Sequence, residues 1–265
     1  MTLVGLVVYN LAGYNYFMDS NTRLIFKIAT PMLLLISTWV IHKTGDIIYR
    51  NIAFAFFAVS LGFLVTYFLG RWASLIPGIV LESVEGWAVS KFAEVVPIVA
   101  TVIVLAIVFG ESLKEPYLVG GNLRKSLSLG LAVLPLSFIQ YFVMGGLSVN
   151  VAGEVLIGWI PWLLLFSFSN AFMEELIFRG LFLKKLIEVF GERGALLQIS
   201  FGFAIFHAAI LPFMGLEMVV VFLIFMFFAG YSWGYVVQQS GSIWGAALAH
   251  AIADILFVIV AFGII

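Results

Sequence analysis

The chain has no cysteine among its 265 residues. That removes disulfides, thiolate metal sites and a cysteine nucleophile together. Charge is nearly as scarce: only 10% of residues are Asp, Glu, Lys or Arg, against roughly 25% in soluble domains. A formal net charge of −1 gives no sign of a nucleic-acid or polyanion partner. What fills the space instead is apolar. Hydrophobic residues make up 63% of the chain, and the mean hydropathy is +1.17. A water-soluble fold of this size cannot hide so much apolar surface, so the lipid bilayer is the solvent.

A helix needs about 20 mostly apolar residues to cross the hydrocarbon core. That length places spans at 24–42, 50–70, 93–110, 125–146, 152–183, 194–211, 217–238 and 243–263. The expected fold is all-α, a polytopic transmembrane bundle of about eight spans, or nine if residues 2–17 also cross. Residues 2–17 lack a basic flank, and no small-residue cleavage site follows before Asp19. They are read as a short membrane-inserted or interfacial helix. The segment at 152–183 is long and interrupted by Pro161, Ser167, Ser169 and Asn170. It is either a kinked span or a partial re-entry followed by a helix. No linker or repeat divides the chain.

Lys and Arg concentrate in alternate connections, which sets the expected orientation. Lys43 and Arg50, then Lys114, Arg124 and Lys125, then Lys184, Lys185 and Arg193 mark the cytoplasmic side, with the C-terminus outside. The stretch 71–92, with Arg71, Trp72, Glu82, Glu85, Trp87 and Lys91, is read as an interfacial segment on the outer face. Lys27, near the start of its span, is expected to snorkel to the surface. His42, at a span end beside Lys43, is expected at the interface.

Six ionisable groups fall well inside spans: Glu174, Glu175, Arg179, His207, His250 and Asp254. A charge at a bilayer centre costs at least roughly 2.5–3.5 kcal/mol for Arg, Lys or Asp. These side chains must therefore face one another or a wet cavity. Glu175 and Arg179 stand at i and i+4 and share a helix face, as a structural ion pair. Glu174 points about 100° away from Glu175, free for chemistry. His250 and Asp254 are also i, i+4, and His207 stands one turn after Phe203. Gly180, Gly202, Gly245, Ala246, Ala247 and Ala249 are small enough for close helix packing. Ser169 and Asn170, one turn before Glu174, either line the cavity or satisfy backbone at a kink.

The series Phe172-Met173-Glu174-Glu175-Leu176-Ile177-Phe178-Arg179-Gly180, then Phe203 with His207, then Trp244-Gly245 ahead of His250 and Asp254, resembles the CAAX-protease and bacteriocin-processing family. The likeness covers roughly residues 124–263, which implies a catalytic membrane core at 124–265 preceded by membrane spans and an interfacial segment at 1–123. It implies an intramembrane endopeptidase acting on a peptide or membrane-protein substrate; a chain this compact is expected in the cell membrane of a prokaryote. By that resemblance Glu174 activates the attacking water, His207 binds or orients it, and His250 stabilises the oxyanion. Glu175 and Arg179 are the structural pair, and Asn170 and Phe203 line the cavity. The family commonly carries Asn where Asp254 stands. An ionised Asp accepts hydrogen bonds only, so Asp254 is left to orient His250, to stay protonated or to ligate a cation.

Glu174, His207, His250 and Asp254 also form an N/O donor set that zinc accepts. If all four bound metal, no free carboxylate among them would remain as general base, which favours a Glu174-activated water with no required cofactor. The cavity is expected to open toward the cytoplasm, because Lys184 and Lys185 lie about 15 Å along the helix from Glu174. Two other functions fit intramembrane charges: a proton-coupled transporter, and a non-proteolytic scaffold or immunity protein of the same family.

Overall fold

A computed structural model describes residues 2–14, 18–110, 117–118, 120–208 and 216–264. Every regular element among them is helical. Helix α1 (Thr2–Gly5) runs into a π-helical turn, Leu6–Gly13, and is followed by α2 (Ser20–Thr44), α3 (Ile47–Leu69) and α4 (Val84–Val108). Then come α5 (Leu123–Ala132), α6 (Leu134–Val143), α7 (Gly153–Glu175), a π-helical stretch Leu176–Leu183, α8 (Lys184–Phe206), α9 (Leu216–Ser240) and α10 (Trp244–Gly263).

Helix starts carry the expected caps. Asp19, Asp46, Ser83 and Asn122 each accept a backbone N–H from the first turn of the helix that follows. The hydrogen bonds from Thr22 and Asn21 hold the Asp19 carboxyl below the usual carboxylate range. Gly45, at φ 81°, ends α2 in the left-handed conformation that a side chain would strain.

Seven helical stretches among the described residues are long and apolar enough to cross a membrane. One of them, Gly153–Phe206, is 54 residues long. At 1.5 Å per residue it would span about 80 Å, far beyond a bilayer core of about 30 Å. It breaks at Gly191, whose φ 68° and ψ 174° are non-helical. The segments expected at 152–183 and 194–211 lie on either side of that break, which accounts for the eight. Helix α7 runs unbroken through Pro161 into Glu174 and Glu175, so the segment is a continuous span and not a re-entry.

Two sequence expectations are corrected. Helix α4 begins at Val84, so Glu85, Trp87 and Lys91 belong to a span and not to an interfacial connection. Lys27 does not snorkel: it is 8% exposed, and its Nζ donates to the carbonyls of Ala12 and Gly13 at 2.7 and 2.8 Å. The short apolar stretch Leu3–Gly13 is a short helix, as expected, and does not cross. At about 16 Å it reaches only halfway through a bilayer core. Instead it packs into the bundle, with Tyr9 set against Phe63, Phe178 and Phe206. Residues 15–17 lie outside the described residues. His42 is exposed, as an interfacial residue would be.

Lipid offers no hydrophobic drive between helices, so close backbone packing has to hold the bundle. Helices α5 and α10 nearly touch: a Cβ on Gly245 would sit 1.9 Å from the Ser126 carbonyl oxygen, and one on Gly130 2.3 Å from that of Gly245. Ser126 Oγ bridges the pair, accepting from Gly245 N at 2.9 Å and donating to the Ser242 carbonyl at 3.0 Å. This contact fixes the turn of α10 that precedes His250. Gly202, by contrast, has open space where its side chain would be.

Candidate active site

At the end of α7 the 100° step between neighbouring residues separates the two carboxylates. Glu175 turns into the bundle with no exposed surface and meets Arg179, whose Nη1 lies 2.8 Å from Glu175 Oε1. Arg179 Nη2 donates to the Gly230 carbonyl at 2.9 Å. Its guanidinium also lies 4.6 Å from the Phe203 ring centroid and 5.6 Å from that of Trp233. Arg179 stands within the π-helical stretch, all eight residues of which are buried. Such widened turns recur at functional sites.

Glu174 faces the other way, into a cavity of about 780 Å³. Its Oε2 is buried without a hydrogen-bond partner among the described residues. Two imidazoles bracket that oxygen: His207 Nε2 at 3.7 Å and His250 Nε2 at 3.6 Å. Both separations exceed a direct hydrogen bond, and such a gap between polar groups suits a bridging water.

The rest of each imidazole is committed. His207 Nδ1 lies 2.9 Å from the Phe203 carbonyl. A carbonyl only accepts, so Nδ1 carries the hydrogen and the neutral ring offers a lone pair at Nε2. His250 Nδ1 lies 2.9 Å from Glu175 Oε1, and the ring stacks on Trp233 at 4.2 Å and 18°. Glu175 therefore does more than partner Arg179: it fixes which nitrogen of His250 faces Glu174.

Asp254 occupies the other side of His250, with Oδ1 3.7 Å from Nε2, while Asn170 Nδ2 donates to Asp254 Oδ2 at 3.0 Å. Orientation of His250 is supplied by Glu175 and Trp233, so Asp254 is not needed for it. Asn170 lines the cavity. Phe203 is fully buried behind it, packed beneath His207 and His250. Zinc would need several donors at about 2 Å from one point. Among the described residues no group of three or more His, Asp or Glu side chains is gathered to hold a metal ion.

Three further residues line the cavity that the sequence did not place there. Lys91 and Glu94 on α4 form an ion pair at 2.9 Å, and Tyr14 donates a hydrogen bond to Glu94. All three line the same cavity. Glu94 sits inside the span expected at 93–110, so intramembrane charge alone would have flagged it. The cavity also extends away from Lys184 and Lys185, neither of which is among the described lining residues. Distance along a helix says how far a loop is, not on which side the free volume lies.

Residues 156–256 match the family model described as Type II CAAX prenyl endopeptidase Rce1-like. The matched range contains Glu174, Glu175, Arg179, His207, His250 and Asp254 but not Tyr14, Lys91 or Glu94. No curated protein and no solved structure matches the chain.

Proposed function

We propose that the chain is an intramembrane endopeptidase of the CAAX-protease and bacteriocin-processing family whose water is activated by Glu174, a reading that the match over residues 156–256 supports. One observation carries the reading: the buried, unpartnered Glu174 Oε2 faces two imidazole nitrogens across an internal cavity.

The steps follow from which atoms are already occupied. A water between Glu174 and His207 donates one hydrogen to Glu174 Oε2 and the other to the lone pair of His207 Nε2. That aims its oxygen lone pair at the carbonyl carbon of a peptide in the cavity. Glu174 removes the proton as the new C–O bond forms and the carbonyl becomes an oxyanion. With His250 Nδ1 turned to Glu175, the ring can donate to that oxyanion only as the imidazolium. Its counter-charges are Glu175 on one side and Asp254 on the other. Collapse of the tetrahedral intermediate breaks the C–N bond, and Glu174 returns its proton to the leaving amine.

The test compares membranes carrying the wild type, Glu174→Gln and His207→Ala for an uncut precursor. General acid–base catalysis contributes about 10²–10⁴-fold, so Glu174→Gln is expected to lose cleavage by that factor and His207→Ala to be strongly impaired. Normal processing by both variants overturns the reading.

A further inference from the structure

The cavity has a direction. On α10 its lining includes His250, Asp254, Phe257, Val260 and, just past the helix end, Ile264. They form one stripe running about 21 Å from the imidazole to the helix end. On α4 the lining comes from the opening turns (Trp87, Lys91 and Glu94), and on α6 from its last turn and Met144 beyond it. These ends lie together: Trp87 packs on Phe262 at 4.8 Å, Asn150 N donates to the Gly263 carbonyl at 2.8 Å, and Val149 bridges to Ile264. The cavity thus extends from Glu174 toward the face formed by the start of α4, the α6–α7 connection and the end of α10.

The basic residues gather on the opposite face. That face is closed by the Asn122 N to Ser240 carbonyl bond of 2.7 Å and by Phe54 against Phe109 at 4.3 Å. Lys43, Arg50, Arg124, Lys125, Lys184, Lys185 and Arg193 all lie in its half of the bundle. The cavity-mouth half has Arg23, Lys27 and Arg71, with Lys27 buried on the Ala12 and Gly13 carbonyls; Lys91 lies inside the cavity, in an ion pair. Short loops rich in Lys and Arg stay cytoplasmic.

We infer that the cavity is entered from the extracytoplasmic side, so that the substrate is an exported peptide or the outer juxtamembrane segment of a membrane protein. This rests on the hydrolytic reading above and reverses the side of entry that the sequence suggested. An extended peptide covers about 3.3–3.6 Å per residue, so the stripe takes roughly six residues. Phe166, Phe222, Met226 and Phe257 make most of the wall apolar, and the segment that enters is apolar to match.

The cysteine-free chain makes the test direct. Ser148→Cys places one thiol at an exposed position on the mouth face, and Glu192→Cys places one at an exposed position on the basic face. Each full-length variant is treated in intact bacterial cells with a membrane-impermeant maleimide, then again after lysis. Ser148→Cys is expected to label equally before and after lysis, and Glu192→Cys only after it. Labelling of Glu192→Cys in intact cells, or of Ser148→Cys only after lysis, overturns the inference. Cleavage that depends on Glu174 in a protein of inverted labelling sinks the side of entry alone. The expected labelling with cleavage indifferent to Glu174→Gln sinks the hydrolytic reading instead.

Discussion

Replacing Arg179 by Met keeps the apolar stem and removes the charge. Wild-type Arg179 has no exposed surface, and its guanidinium holds Glu175 at 2.8 Å and the Gly230 carbonyl at 2.9 Å. In Arg179→Met the equally buried Glu175 is left with His250 as its remaining partner. Breaking one side of a buried ion pair costs about 3–5 kcal/mol. At about 1.4 kcal/mol per decade, the folded-to-unfolded ratio falls by roughly two to four orders of magnitude. The double variant Arg179→Met with Glu175→Gln removes both charges, and loss of a whole buried pair is often close to neutral. Its stability is expected to return to within about 1–2 kcal/mol of wild type. Cleavage does not return, because a glutamine at 175 is no counter-charge for the His250 imidazolium. Thermal unfolding in detergent, run beside a cleavage assay, reads both quantities. The reasoning fails if Arg179→Met costs less than about 1 kcal/mol, or if the double variant is as unstable as the single.

Two further substitutions probe the packing. Gly245→Ala forces a methyl against the Ser126 carbonyl and is expected to cost about 1–3 kcal/mol, while Gly202→Ala, facing open space, is expected to be tolerated; detergent thermal shifts compare the two. Lys27→Met strips donors from the Ala12 and Gly13 carbonyls, a loss of about 1–3 kcal/mol. Hydrogen exchange should then rise across residues 2–14 and stay unchanged around Glu174.

The divergence of Glu174 from Glu175 was legible because it follows from helical geometry alone. The i, i+4 relation of Glu175 and Arg179 was legible for the same reason, and the pair forms as expected. The partner of His250 was not. Asp254, four residues on, does share the face, 3.7 Å from Nε2, but Nδ1 pairs with Glu175, 75 residues away in the chain. Contacts between helices depend on how the rods rotate and tilt, and a periodic pattern does not encode that. Lys91 was misplaced for a different reason. A run of mixed polarity ahead of an apolar stretch looks like a surface loop, whereas here the Lys91–Glu94 pair turns inward on a helix that starts earlier.

The cavity wall draws on two parts of the chain, one inside the matched stretch and one before it, and that has a consequence for how such a site can be altered. The carboxylate and imidazoles proposed to react come from the matched stretch 156–256, while Tyr14, Lys91 and Glu94 come from helices before it. Substitutions in the early helices can therefore reshape the wall that an entering chain meets while leaving Glu174, His207 and His250 in place.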